Sequence, residues 1–307
     1  MEQTKITKSD FEPLEVNQQE AEKIVGESTS YWKDAWRRFR KNKLAIAGIV
    51  AIILLGIMAL IGQPISGENY RDNDLLSVNQ PPSADHWFGT DELGRDIFAR
   101  TWEGAKISLF IGLMAAFIDL VIGIIWGSIA GYFGGKVDEY MMRFADILYG
   151  VPYLLVVILL LVVMDKGLWT LIIAMTVTGW INMARIVRGQ VMQLKSEEYV
   201  MASKSLGASN FRLLSKHLIP NTLGPILVTL TLTVPTAIFT EAFLSFLGLG
   251  VPAPLASWGT MTSDALGAFQ FYPYQLFFPA FFICLTMLAF NVIGDGLRDA
   301  LDPKERK

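Results

Sequence analysis

"EYVMASKSLGASNFRLLSKHLIPN", residues 198–221, lies between two long apolar runs and is itself neither apolar nor low in complexity. It reads as two short helices broken at Gly207 and closed by Pro220. Glu197 and Glu198 sit at the positive end of the first helix, where acids are favoured. Tyr199, Ala202 and Leu206 give that helix an apolar face. Glycine commonly follows a helix end, and Ser209 can cap the next helix, whose stripe is Phe211, Leu214 and Leu218. The spacing predicts a folded helical hairpin at the tip of a loop. It fits docking into a groove on another protein and packing on its own bundle equally well.

The surrounding chain sets the context. Of 307 residues, 52% are apolar and only 18% charged, where a soluble domain carries about a quarter charged. About 20 predominantly apolar residues span a bilayer as a helix. Six runs meet that need: 44–62, 107–131, 147–164, 168–184, 222–247 and 276–294. The expected fold class is therefore an all-α integral membrane protein with six transmembrane helices. The third and fourth runs, parted only by Asp165, Lys166 and Gly167, are expected to form a tight hairpin. The first is not read as a secretory signal, because 43 residues precede it and no small-residue cleavage site follows. Cys284 is the only cysteine, and His86 and His217 are the only histidines, so no disulfide framework, zinc site or haem site can be assembled.

Lysine and arginine give the orientation. Segments 1–43, 136–146, 185–221 and 295–307 hold 21 of the 26, and the alternate segments hold 5. By the positive-inside rule both termini and the opening hairpin are cytoplasmic. Residues 1–30 read as a mobile cytoplasmic tail. In 31–43, Trp32, Trp36 and Phe39 alternate with Arg37, Arg38, Arg40 and Lys41, the pattern of an amphipathic interfacial helix. The extracellular loop 63–106 and the Pro/Gly-rich segment after residue 247 read as compact, structured loops. Residues 107–294 are the five-helix core, carrying loop 185–221, and 295–307 form a cytoplasmic C-terminal tail.

Within the bilayer, Gly123, Gly127, Gly131 and Gly135 form a ridge that lets another backbone approach closely, inside this subunit or from a second one. The fifth run aligns Thr229, Thr233, Thr236 and Thr240 on one helical face beside Glu241, and holds Pro225 and Pro235, which interrupt its hydrogen-bond ladder. Threonines in membrane helices most often bond back to their own backbone, and the alternative is a hydroxyl-lined path. Asp119 is the other acid at membrane depth, a functional candidate or a partner of a neighbouring helix. No GxxxxGK[ST] or HExxH occurs, and no histidine lies at membrane depth. The chain reads as a conduit, not an enzyme, with no cofactor of its own.

The hairpin resembles the EAA loop of ABC importer permeases. Met201-Ala202-Ser203 stands for Glu-Ala-Ala, Gly207 falls at the family's spacing, and His217-Leu218-Ile219-Pro220 closes the motif. The family glutamate is here Met201 and its isoleucine His217. "FGTDELGRDIFAR" (88–100), "FLSFLGLGVPAPLASWG" (243–259) and "GDGLRDALDP" (294–303) are similar to the second permease subunit of dipeptide and oligopeptide ABC importers. The resemblance implies a type I importer fold with an added N-terminal span, in the bacterial plasma membrane. It implies a heterodimer with a sister permease, two cytoplasmic P-loop ATPases holding ATP-Mg, and an extracellular peptide-binding lipoprotein. Oligopeptide is the implied cargo; dipeptide or nickel import on the same fold is the near alternative, and no nucleic acid partner is implied. Glu198, Ala202, Gly207, Ala208, Phe211, Leu214 and Pro220 would couple to the ATPases. Thr229, Thr233, Thr236, Thr240 and Glu241 would line the path, and Asp91, Arg95, Asp96 and Trp258 would dock the lipoprotein. Two other classes stay open: an ion-coupled peptide carrier acting alone, and a membrane scaffold that docks a cytoplasmic enzyme.

Overall fold

The computed structural model describes residues 31–301. The expected tail at 1–30 and residues 302–307 lie outside the described residues. Ten helices follow one another: α1 (Tyr31–Phe39), α2 (Lys43–Ser66), α3 (Ile97–Phe133), α4 (Gly135–Gly150), α5 (Tyr153–Val163), α6 (Leu168–Leu194), α7 (Glu198–Ser205), α8 (Asn210–Phe246), α9 (Trp258–Ala265) and α10 (Pro273–Leu301). Among the described residues, α2, α3, α6, α8 and α10 are long and apolar enough to cross a membrane.

Several boundaries differ from the sequence expectation. First, α3 begins at Ile97, ten residues before the apolar run, because the Asp96 carboxylate accepts the Ala99 N–H at 2.7 Å and caps it. Secondly, the third span is a bent pair: α4 and α5 meet at 82° across Val151 and Pro152. The residue before a proline is driven out of the helical region, and Val151 adopts ψ of 130°. Residues 136–146, expected as a connecting segment, are thus helix. Thirdly, Pro220 does not stop the hairpin's second helix. The chain runs through a π-helical turn at Leu213–Leu218 straight into the long apolar helix, with Pro220 just past that turn. The last span likewise continues to Leu301, so 295–301 is helix rather than tail.

The glycine ridge is an internal seam. A Cβ on Gly123 would sit 2.5 Å from the Met183 side chain, and one on Gly131 would sit 2.7 Å from the Arg188 carbonyl oxygen. One on Gly127 would overlap the Ala184 carbonyl oxygen. Helices α3 and α6 therefore touch almost backbone to backbone, the approach that small residues permit. Gly135 stands apart from the seam: it takes a positive φ of 53° where α4 begins. Arg188 then locks α4 to α6 through a two-pronged bond to Asp138, at 2.5 and 2.6 Å.

A second core gathers Leu55, Trp102, Ile238, Trp258 and Phe282 between α2, α3, α8, α9 and α10. Helix α1 is shorter than the 31–43 expected, ending at Phe39, which is buried against Ala45 and Ala300. Exposed apolar side chains line α2, α5 and α10, among them Leu60, Leu159, Val163 and Leu288. Such a surface needs lipid or another apolar chain against it.

Candidate functional site: hairpin, cavity and loop cluster

The hairpin forms at one end of the bundle. Helix α7 ends in a pair of bonds, Gly207 N–H to the Lys204 carbonyl and Ala208 N–H to the Ser203 carbonyl, the Schellman arrangement. Gly207 takes φ of 85°, the left-handed conformation that arrangement demands. Ser209 Oγ accepts the Arg212 N–H at 3.3 Å and starts α8. Val200, Leu213 and Leu218 are buried with Val187, Val191 and Ile226, so the hairpin is anchored on its own bundle. Tyr132 on α3 adds a 2.7 Å hydrogen bond to Asn210. Outward lie large apolar side chains among polar ones such as Lys204 and Arg212: Leu206 is 88% exposed and Phe211 80%, and Tyr199 and Met201 are exposed too. Ala208 and Leu214 are half-buried in the anchoring cluster, so the free face is carried by Leu206 and Phe211 rather than by the Leu214 stripe. Glu198, Ala202 and Pro220 are exposed.

Between the spans lies a cavity of about 390 Å³. All four threonines of the stripe line it, facing Asp119, Tyr153, Gly179 and Asn182. Each threonine hydroxyl also donates to the carbonyl four residues earlier: Thr229 to Pro225, Thr233 to Thr229, Thr236 to Leu232 and Thr240 to Thr236, at 2.8–2.9 Å. The two readings of the stripe are thus compatible, since a back-bonded hydroxyl still presents its oxygen to the cavity. Tyr153, Gly179 and Asn182 escaped the sequence reading. A polar Asn in an apolar run was the available signal for one of them; Tyr153 had none.

Glu241 does not belong to this wall, and its expected place on the path is corrected. It is fully buried behind the stripe, where its carboxylate accepts from Ser257 Oγ at 2.6 Å, Ser245 Oγ at 2.8 Å and Ser108 Oγ at 3.4 Å. Ser108 Oγ in turn accepts the Trp258 N–H at 3.0 Å. One carboxylate therefore pins α8 to α3 and to the start of α9. A Cβ on Gly259 would lie 2.6 Å from Ala242 Cα, which shows how tightly α9 sits there.

At the far end of α3 from the hairpin, the loops gather charge. Arg95 Nε pairs with Asp91 at 2.7 Å, and Arg100 reaches Asp91 at 3.5 Å and Asp264 at 3.4 Å. These residues border a cavity of about 490 Å³. Burial pushes the Asp264 carboxyl above its ordinary range, against the pull of Arg100 and Arg95. Asp91 and Arg95 thus lie at this opening, but the other two docking candidates do not. Trp258 is fully buried, its indole N–H donating to the Thr101 carbonyl at 2.9 Å. Asp96 is 4% exposed and spends its carboxylate on the α3 cap and on His86 Nδ1 at 3.0 Å. Both shape the loops and present nothing to a partner.

A bundle of apolar spans around a hydroxyl-lined cavity, with an anchored apolar hairpin at one end, defines a membrane permease subunit. Residues 123–307 match the family described as binding-protein-dependent transport system inner membrane component. Residues 30–82 match the N-terminal TM domain of oligopeptide transport permease C. The chain is 66% identical to an oligopeptide transport system permease protein of Bacillus subtilis over 98% of its own length and 99% of that protein's. It is 61% identical to a dipeptide transport system permease protein of the same organism, over 94% and 90% of the two lengths. An oligopeptide transport system permease protein of Escherichia coli K12 is 41% identical over 93% and 95%. The chain belongs to the binding-protein-dependent inner membrane permease family, as a C-type subunit of the oligopeptide/dipeptide ABC importers. Its fold also matches a solved chain of the inward-facing MetNI methionine ABC transporter, with a TM-score of 0.54 at 18% identity, over 65% of this chain and 94% of that one.

Proposed function

We propose that this chain is one of two permease subunits through which an ATP-driven importer moves oligopeptides into the cell. The observation that carries the reading is mechanical: Phe211 at the hairpin tip and the cavity's threonine wall lie on one continuous helix, α8, with Leu206 four residues before its start. A protein that grips Leu206 and Phe211 can therefore move the wall directly. The hairpin is the seat of a separate P-loop ATPase, which holds the ATP-Mg that this chain, without a GxxxxGK[ST] motif, has no loop to cradle. Closure of two such ATPases would rock this subunit and a sister permease between two openings. The lysine and arginine distribution supports a cytoplasmic hairpin and cytoplasmic termini. The loop cluster then faces outward, where Asp91 and Arg95 offer polar contacts to a peptide-binding lipoprotein. The more similar of the two Bacillus subtilis relatives is the oligopeptide one, which favours oligopeptide over dipeptide cargo.

The test is to purify the tagged chain from native membranes in mild detergent and weigh its stoichiometric partners. Proteoliposomes of the recovered complex then receive labelled peptides of graded length. Recovery with a second permease and two ATPases, and ATP-dependent uptake extending past dipeptides, is the expected outcome. A chain recovered alone, taking up peptide on an ion gradient, would overturn the reading.

A further inference from the structure

Asp119 sits midway along α3 and is 6% exposed, yet its Oδ1 has no hydrogen-bond partner among the described residues. The Tyr153 hydroxyl, on the same cavity, is likewise buried without one. Packing has made room for this carboxylate: a Cβ on Gly179 would collide with it. Among the described residues, no arginine or lysine lines the cavity. The threonine hydroxyls have already given their hydrogens to α8's backbone, so their oxygens can only accept. The cavity therefore presents a single charge, a carboxylate, and a column of acceptors, with Tyr153 and Asn182 able to donate as well, a lining that suits a cationic group rich in N–H donors. An ammonium crossing at this depth needs such a counter-charge, since an unpaired charge away from water is strongly disfavoured.

We propose that Asp119 receives the cationic amino terminus of a peptide in transit, with Thr233 and Thr236 supplying further acceptors. The assignment rests on the peptide-import reading above. An α-ammonium is the one positive charge that every unmodified linear peptide brings whatever its side chains, so a site for it guides cargo without selecting sequence.

The test uses the whole importer in proteoliposomes, with Cys284→Ser and a reporter thiol at Thr233→Cys, and separately at Thr236→Cys. Each thiol is reacted with a trimethylammonium-bearing and a sulfonate-bearing methanethiosulfonate. The cationic reagent is expected to react faster by about tenfold or more, after correction for each reagent's rate with a free thiol. Asp119→Asn should remove that preference. Tetra-alanine with a free amino terminus should slow the cationic reagent, and its N-acetylated twin should not. Replacing choline chloride by sodium or potassium chloride at equal ionic strength should change nothing. A preference that survives Asp119→Asn, or its absence in the parent protein, overturns the assignment; the latter would mean that a basic group of another subunit already neutralises the acid. Protection by both peptides alike, or by sodium or potassium, also overturns it, as does silence at both thiols. ATP-driven uptake of tetra-alanine by the unsubstituted importer is read in parallel: its failure sinks the transport reading, whereas normal uptake with an unaltered preference sinks only the role of Asp119.

Discussion

Glu241 shows how one residue can be conspicuous in a sequence and yet be misplaced by it. Beside a threonine stripe, a membrane-depth acid suggests a path, but the serines that occupy its carboxylate come from positions 108, 245 and 257, two of them far away along the chain. Replacing Glu241 by alanine leaves those hydroxyls and the start of α9 without their shared acceptor. The loss should be roughly 2–4 kcal/mol, seen as a fall of several degrees in the melting temperature of the detergent-purified complex, with Glu241→Gln milder. Gly207 makes a contrasting case. Its surroundings are open, with nothing within 4 Å of the place a Cβ would take, so a substitution there fails through backbone conformation and not through collision. Valine should cost about 1–2 kcal/mol of hairpin stability and depress uptake, while asparagine, which tolerates the left-handed region, should keep most of it. Uptake per unit of membrane-inserted protein measures both.

At the scale of elements, the α3–α6 seam is the tightest joint. Gly127→Leu would drive a side chain into the Ala184 carbonyl and the Val187 side chain and should sharply lower the amount of folded chain in the membrane. Gly56→Leu on α2, where a Cβ meets nothing within 4 Å, is the matched control and should leave that amount unchanged. Immunoblots of washed membranes compare the two. Helix existence was legible wherever apolar runs were long, because a bilayer-length helix needs little besides its composition. Helix ends were less so. The start of α3 depends on the Asp96 cap inside a polar stretch, and the hairpin's continuity with α8 depends on a π turn that no residue pattern announces. The glycine spacing revealed a close joint but not its partner, since one ridge serves an internal or an external neighbour equally. Thr229, Thr233, Thr236 and Thr240 were found from helical periodicity alone, whereas Tyr153 joins their cavity only because α5 folds back at 82°.

For the whole molecule, the exposed apolar surfaces along α2, α5 and α10 suit lipid or another apolar chain, and the proposed function assigns the hairpin's exposed side chains to an ATPase. Leu206→Asp with Phe211→Asp changes only outward side chains and should leave the chain folded and in the membrane. The pair should, however, reduce recovery of the ATPases with it by about tenfold or more, a loss of at least roughly 1.4 kcal/mol in that contact. Quantitative mass spectrometry of the purified complex reads the ratio, with recovery of the sister permease as the internal standard.

The unbroken course of α8 carries a consequence for phase. At 37 residues it is a rod of about 55 Å, with the gripping tip at its foot and the hydroxyl column farther up. Every residue added to an α-helix turns the remainder of the rod by about 100° while lifting it only about 1.5 Å. One alanine inserted between Ile226 and Thr229 should therefore swing the column away from its cavity while hardly altering its height. Transport should stop although the foot still holds its ATPase. Removal of one residue within Leu213–Leu218 should be far gentler, because a π turn already holds one residue more per turn than an α turn, and losing it restores the ordinary winding without rotating either end. The two indels, equal in size and opposite in sign, would thus tell whether the rod acts as a crankshaft, in which angular timing matters more than length.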